Sequence, residues 1–277
     1  MSKNYIVDYC IWRIRNNKNA IIVICGETGS GKSWVGLRLG YELSQALNTP
    51  FSISGNVDFS FVGLLKKTRL PGNFEKKGVA YLFEEAGAMS GGGSSRDWQS
   101  KTNKMFWSFL QTTRHRNQIL IFTVPMFAFI DKGARALCHM QIMMCGINYH
   151  KHISIVKPYI LQTNQRTGKI YFKLLRYKDE SGELIRIDSH TIQAPPPSIV
   201  EPYEEMKSAY TQNFTDSMIS SDEKRSGPAV QLTPIQKKVS DLLDKGLKPI
   251  EIGERLNKSI TYIYDLRRVI RAKKGGI

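Results

Sequence analysis

Residues 26–33 read Gly26-Glu27-Thr28-Gly29-Ser30-Gly31-Lys32-Ser33, which fits the pattern G-x-x-x-x-G-K-[ST]. Each residue type in that run has a chemical use. Gly26, Gly29 and Gly31 let the backbone bend until successive N–H groups face the oxygens of a polyphosphate. The helix expected after the loop adds the positive end of its dipole. Lys32 would reach the β- and γ-phosphates, and the Ser33 hydroxyl would ligate Mg2+. Glu27, Thr28, Ser30 and Trp34 complete the candidate nucleotide contacts. Further along, Glu84-Glu85 offers what hydrolysis needs: Glu84 to hold Mg2+ through water and Glu85 to polarise the attacking water. An aspartate is commoner at the first of these positions; the extra methylene of Glu84 changes reach but not charge.

These residues need elements that bring them together. Ala20 to Cys25 is an apolar, β-branched run that reads as a buried parallel strand, and the stretch after Ser33 reads as a helix. Strand, glycine loop and helix form the context the motif requires. Val79 to Phe83 is a second buried strand, ending at Glu84. Ile119 to Thr123 is a third, and Gln141 to Ile147 a fourth. A helix over Asn4 to Arg15, a strand over Phe51 to Val57, and helices over Val62–Lys67, Lys101–Thr113 and Lys132–Leu137 fill the intervals. The alternation predicts an α/β fold, a parallel sheet with helices on both faces. Tyr159–Gln162 and Lys169–Tyr177 flank a Gly-containing turn and read as a hairpin, with one further strand over Glu183–Ile187.

Lys and Arg number 40 against 24 Asp and Glu, a formal charge of +16. Such an excess points to a polyanionic partner, nucleic acid before an anionic membrane surface. The longest apolar candidate, Ile119 to Ile130, is too short to span a bilayer and contains Pro125. The N-terminus lacks a secretory pattern, and the expectation is a cytoplasmic protein without a membrane segment. Cys10, Cys25, Cys138 and Cys145 are too scattered for a disulfide framework. Cys138, His139, Cys145, His150 and His152 cluster, but without zinc spacing, and buried thiols are the better reading.

The segment from Thr113 through Thr123 resembles a pattern of the zonula occludens toxin-like branch of the FtsK–HerA group of ATPases, DNA pumps of the P-loop NTPase class. There an Arg-His pair precedes a strand ending in Thr-Gln, followed by an Asp and then an Arg on a short helix. The counterparts here are Arg114-His115, Thr123, Asp131 and Arg135, and the resemblance covers roughly residues 20–140. It implies a RecA-like sheet of the branch with an additional strand between the two motif strands, ATP and Mg2+ as cofactors, and a homo-oligomeric ring, a hexamer among the candidate sizes. It also implies an arginine finger supplied to a neighbouring subunit, for which Arg114 and Arg116 are the candidates. Val124 stands where the group has Gln, which leaves Thr123 or Gln111 as the sensor of the γ-phosphate. Relatives of this branch usually carry a membrane segment, which this chain does not show.

Pro195-Pro196-Pro197, Pro202 and the polar run Ser217 to Gly227 read as a tether. Beyond it, Thr233-Pro234-Ile235-Gln236 combines an N-cap, Pro at the first helical position and a capping-box Gln. Glu251 to Ile263 resembles the helix-turn-helix of response regulators and sigma factors. Gly253 occupies the position where two helices cross, Asn257 the turn, and Ser259 the cap of the recognition helix, with Ile263 and Leu266 facing inward. Thr261, Tyr262 and Asp265 would meet base edges, and Lys258, Arg267, Arg268 and Arg271 phosphates. The expected organisation is an ATPase domain over 1–193, a flexible linker over 194–231 and a helix-turn-helix domain over 232–277. The function this implies is an ATP-hydrolysing motor on double-stranded DNA, serving packaging, replication or transfer of a virus or mobile element. The alternatives are an ATP-switched replication initiator or helicase loader, or a DNA-binding regulator with an ATPase core.

Overall fold

A computed structural model describes residues 3–84, 106, 108–111, 113–225 and 232–274. The chain divides into two compact units, Met1–Thr211 and Gln212–Ile277. The first opens with helix α1 (Tyr5–Arg15), strand β1 (Ala20–Cys25) and helix α2 (Lys32–Leu47). A short helix α3 (Ile53–Asn56), strand β2 (Val57–Asp58), helix α4 (Phe61–Lys67) and strand β3 (Ala80–Phe83) follow. Strand β4 (Ile119–Val124), helix α5 (Lys132–Leu137) and strands β5 (Met140–Asn148) and β6 (Ile153–Thr163) come next. Strands β7 (Ile170–Leu174), β8 (Arg176–Lys178), β9 (Leu184–Arg186) and β10 (His190–Gln193) lead to the long helix α6 (Pro197–Arg225).

The main sheet runs β10-β6-β5-β1-β4-β3-β2, with β7 also beside β6. Its five strands β5-β1-β4-β3-β2 are all parallel. Strand β1 has both faces buried, which its unbroken apolar run requires. Ile22 and Ile24 join the core with α1 and α2, while Ile21, Val23 and Cys25 join the core with α4 and α5. Strand β4 lies between β1 and β3, in register from Ala20 opposite Ile119 to Cys25 opposite Val124. That order makes a mostly parallel α/β sheet with the additional strand between the two motif strands, as expected.

The sheet departs from the expectation at two edges. Past β5 it turns antiparallel, with β6 paired to β5, β7 and β10. The predicted strand over Phe51–Val57 is mostly α3, because the Ser52 side chain accepts from the Gly55 N–H and starts a turn. The Asn56 amide donates to the Ala80 carbonyl and anchors that turn against β3. The second arm of the predicted hairpin splits at buried Leu175 into β7 and β8, and β8 pairs with β9 instead.

The stretch read as a linker over 194–231 is helical from Pro197 to Arg225. Ile199, Tyr203, Met206 and Tyr210 recur at helical spacing and pack on the first unit's core, with Tyr210 stacked on Phe59 at 4.7 Å. In the second unit, helices α7 (Pro234–Asp244), α8 (Pro249–Leu256) and α9 (Ile260–Lys274) enclose Val239, Ile252, Ile263, Leu266 and Ile270. The Thr233–Gln236 capping box forms as read. Asn257 takes the left-handed conformation at φ 50°, and a Cβ on Gly253 would lie 3.0 Å from the Lys258 carbonyl oxygen.

Candidate nucleotide site

The phosphate loop leaves the end of β1 and enters α2 through Gly31, whose φ of 84° is the left-handed region that glycine tolerates. Among the described residues no side chain caps α2, so its first-turn N–H groups face the loop. Gly26 is needed for space: a Cβ there would come within 2.6 Å of Ser30 Oγ and 2.7 Å of Met144 Cβ on β5. Lys32 Nζ donates to the carbonyl oxygens of Gly26 (2.9 Å) and Glu27 (2.7 Å), which holds its ammonium over the loop. Ser30 N–H donates to the Glu27 carbonyl at 3.2 Å and tightens the same turn.

Glu84 follows β3 directly and is 2% exposed. Its N–H donates to the Asp58 carbonyl at 2.9 Å, which ties it to the end of β2. Two hydroxyls donate to the same carboxylate oxygen, Oε2: Ser33 at 2.9 Å from the start of α2 and Thr123 at 3.0 Å from β4. The register explains the meeting. Thr123 is opposite Ile24 on β1, and Phe122 is opposite Phe83, the residue before Glu84. Inserting β4 between the two motif strands places its last polar residue beside the carboxylate. A buried carboxylate and a hydroxyl are hard oxygen donors, a set that fits Mg2+. Glu85 lies outside the described residues.

These residues border one cavity of about 890 Å3 within the first unit. Thr28, Gly29, Gly31, Lys32, Ser33 and Trp34 line it on the loop side, with Glu84 and Thr123 beside them. Apart from Val124, the rest of the lining carries no motif. Ile147, Tyr149, His152 and Ser154 come from the β5–β6 hairpin, and Tyr203, Glu204 and Lys207 from α6.

Other candidates sit apart from the cavity. Arg114 and Arg116 belong to a 3-10 turn before β4, at the opposite end of that strand from Thr123. At about 3.3 Å per residue, β4 alone separates them from the loop by roughly 15 Å. Arg114 is exposed, while Arg116 lies 3.4 Å from the centroid of the Phe74 ring and donates to the Thr68 carbonyl at 3.3 Å. Gln111 borders a separate surface hollow with Asn17, Arg114 and His115, so of the two sensor candidates only Thr123 reaches the site. Asp131 caps α5 by accepting from Gly133 N–H, and Arg135 sits 6.0 Å from the Phe127 ring centroid.

No cluster of three or more His, Cys, Asp or Glu able to hold a metal occurs among the described residues. Burial pushes the thiol of Cys10 up to about 12 and that of Cys25 up to about 11. Cys138 is raised by burial as well. His139 Nδ1 accepts the Ile21 N–H at 3.0 Å. Burial, with the nearby charges of Arg13 and Lys18, brings its pKa down to about 3. In the second unit, Thr261, Tyr262, Asp265, Arg268 and Arg271 on α9 are exposed, as is Lys258 before it, and Arg267 is half-buried. Ser259 Oγ accepts from Tyr262 N–H at 3.3 Å.

No protein-family model matches the sequence, and no curated protein matches it. Among solved structures, the chain is similar to the N-terminal domain of zonular occludens toxin from Neisseria meningitidis. The identity is 14%, over 59% of this chain and 96% of that one, with a TM-score of 0.34. It is also similar to the genome packaging NTPase of Sulfolobus turreted icosahedral virus 2, solved in complex with ATP-gammaS. Here the identity is 12%, over 56% of this chain and 96% of that one, with a TM-score of 0.35. Likeness at this level gives no residue a role; the site described above rests on its own geometry. No helix among the described residues is long and apolar enough to cross a membrane.

Proposed function

We propose that this chain is a Mg2+-dependent ATPase that acts on double-stranded DNA as a motor, working as a homo-oligomeric ring. The observation that carries the catalytic half is the convergence of the Ser33 and Thr123 hydroxyls on buried Glu84 beside the phosphate loop. In this reading the loop N–H groups and Lys32 hold the β- and γ-phosphates. Ser33 and Glu84 are the residues that would hold Mg2+, which when bound neutralises charge on the phosphates. Thr123 orients Glu84 and senses the γ-phosphate, Glu85 positions the attacking water, and Arg114 serves the site of a neighbouring copy.

The DNA half is supported by charge. The net charge is +16, and no aspartate or glutamate occurs between Asp131 and Asp179, a stretch that carries Lys151, Lys157, Arg166, Lys169 and Lys173. The helix-turn-helix reading of the second unit adds exposed Arg268 and Arg271. The test is ATP hydrolysis with and without duplex DNA, with oligomer mass measured on the same sample. Mg2+-dependent turnover that DNA stimulates and Lys32→Ala lowers by at least about 100-fold is the expected result, the scale lost with a group that stabilises the transferring phosphoryl. Slow turnover indifferent to DNA, with ATP-dependent DNA binding, would favour the switch over the motor. Normal turnover in Lys32→Ala would remove the site assignment.

A further inference from the structure

The phosphate loop accounts for only part of the cavity that it borders. Beside Val124, Pro125 and Phe129 from the end of β4 onward, most of the remaining wall belongs to two elements outside the phosphate loop. The β5–β6 hairpin abuts the loop: the Cβ position of Gly31 lies 3.0 Å from Ile147 Cδ1 and 3.4 Å from Ser154 Oγ. Tyr149 and His152 stand at the turn of that hairpin and border the same cavity. Tyr149 is 73% exposed, an unusual placement for a large ring unless something stacks on it. His152 holds φ 50°, a left-handed conformation uncommon for a non-glycine residue.

The turn is fixed in place by a chain of hydrogen bonds. The His152 carbonyl accepts from Ala194 N–H at 2.9 Å, and the Ala194 carbonyl accepts from Arg38 Nη1 at 3.0 Å. Arg38 is in turn paired with Glu42 at 2.6 Å on α2, the helix that begins at the phosphate loop. Hairpin, the segment before α6 and the phosphate-loop helix are thereby held as one frame, so this wall is formed in advance of any ligand. The whole cavity, phosphate-loop side included, measures about 890 Å3, within the range of small-molecule sites. Aromatic and aliphatic groups dominate the wall, and the charged or polar groups are few: Ser154, His152 and, from α6, Glu204 and Lys207.

We infer that the β5–β6 hairpin and the facing turn of α6 form the nucleoside subsite, in which the base of a nucleoside triphosphate stacks on Tyr149 with His152 at its edge. The ligand class is therefore a nucleotide with an aromatic base, not a bare polyphosphate, and one subunit holds base and phosphates together. This rests on the reading of the phosphate loop as a triphosphate site. A stacked base on an exposed ring contributes affinity without touching the phosphates.

The experiment measures binding of ATP and of inorganic tripolyphosphate to the full chain by calorimetry, both with Mg2+. Tyr149→Ala is expected to weaken ATP about ten-fold, the scale of one lost stacking contact, and to leave tripolyphosphate within about two-fold of the parent. Tyr149→Phe should restore ATP affinity. His152→Gly removes the ring from a backbone that glycine adopts without strain, and it should weaken ATP several-fold, again sparing tripolyphosphate. ATP binding unchanged in both variants, or tripolyphosphate lost in parallel with ATP, overturns the subsite. Lys32→Ala should lose both ligands; if it keeps both, the phosphate-loop reading fails instead, whatever the Tyr149 result.

Discussion

Thr123 and Ser33 reach one oxygen of Glu84 from different elements, and that shared acceptor makes the carboxylate's orientation a two-point constraint. Hydrogen bonds to a charged group are each worth about 1.5–3 kcal/mol. Replacing Thr123 with valine keeps the shape of the side chain on β4 while removing its donor. The carboxylate then keeps Ser33 alone among the two hydroxyls. We expect Thr123→Val to bind ATP within about three-fold of the parent and to hydrolyse it roughly ten- to a hundred-fold more slowly, the range for loss of one positioned donor. Steady-state turnover and a separate ATP binding measurement distinguish the two effects. Equal losses in binding and turnover would mean that Thr123 supports the fold of the site and not its chemistry. Of the four cysteines, Cys10, Cys25 and Cys138 are buried, the first two with thiols raised to about 12 and about 11, whereas Cys145 is exposed, against the expectation of a buried thiol.

At the scale of elements, what the sequence shows and what it hides divide along a physical line. Strands buried on both faces announce themselves as unbroken apolar runs, so β1, β3 and β4 are readable from Ala20–Cys25, Val79–Phe83 and Ile119–Thr123 alone. The phosphate loop follows because its chemistry needs glycine and lysine at fixed spacing. The half-buried strands are weaker signals. β10 is four residues long and exposes Thr191 and Gln193, and α3 is set by the local cap at Ser52 together with Asn56 bound to Ala80, which no period reveals. Helix α6 was obscured by Pro195-Pro196-Pro197 and Pro202, although Ile199, Tyr203, Met206 and Tyr210 keep helical spacing. For the same reason the far wall of the cavity, built from a hairpin turn and α6, carries no motif. His139 shows an element-level consequence. Its backbone N–H donates to the Ile21 carbonyl and its ring accepts the Ile21 N–H, so one residue seals β1 against the start of β5. An unfolded chain takes up the imidazole proton near pH 6.5, whereas the folded one does so only near about 3. Between those values the folded state binds fewer protons, so acidification through that window destabilises it. Thermal unfolding should show Tm falling steadily from pH 7 to pH 4, and His139→Asn, which keeps an acceptor but cannot titrate, should flatten the slope. A parallel slope in the variant would place the acid sensitivity elsewhere.

For the whole molecule, the proposed action on DNA raises the question of where a chain of charge +16 would hold it. Two regions offer themselves. One is the antiparallel extension of the first unit, basic and without an acid between Asp131 and Asp179. The other is α9, where Arg268 and Arg271 are exposed near Thr261, Tyr262 and Asp265. Counterion release separates them, because each phosphate contact contributes about 0.9 to the slope of log affinity against log salt. If α9 is the recognition helix, Arg268→Ala with Arg271→Ala should lower that slope by about 2 and weaken all duplex sequences alike. Tyr262→Ala should leave the slope and narrow the difference between preferred and random sequence. Lys169→Ala with Lys173→Ala on the extension should then matter little for site preference. Both side chains of α9 can be removed without disturbing the Val239, Ile252, Ile263, Leu266 and Ile270 core, since neither belongs to it. A slope untouched by the α9 pair and lowered by the Lys169 and Lys173 pair would move the DNA to the ATPase unit itself. The second unit would then be a protein-binding module, and ATP hydrolysis would act on DNA held beside the nucleotide site.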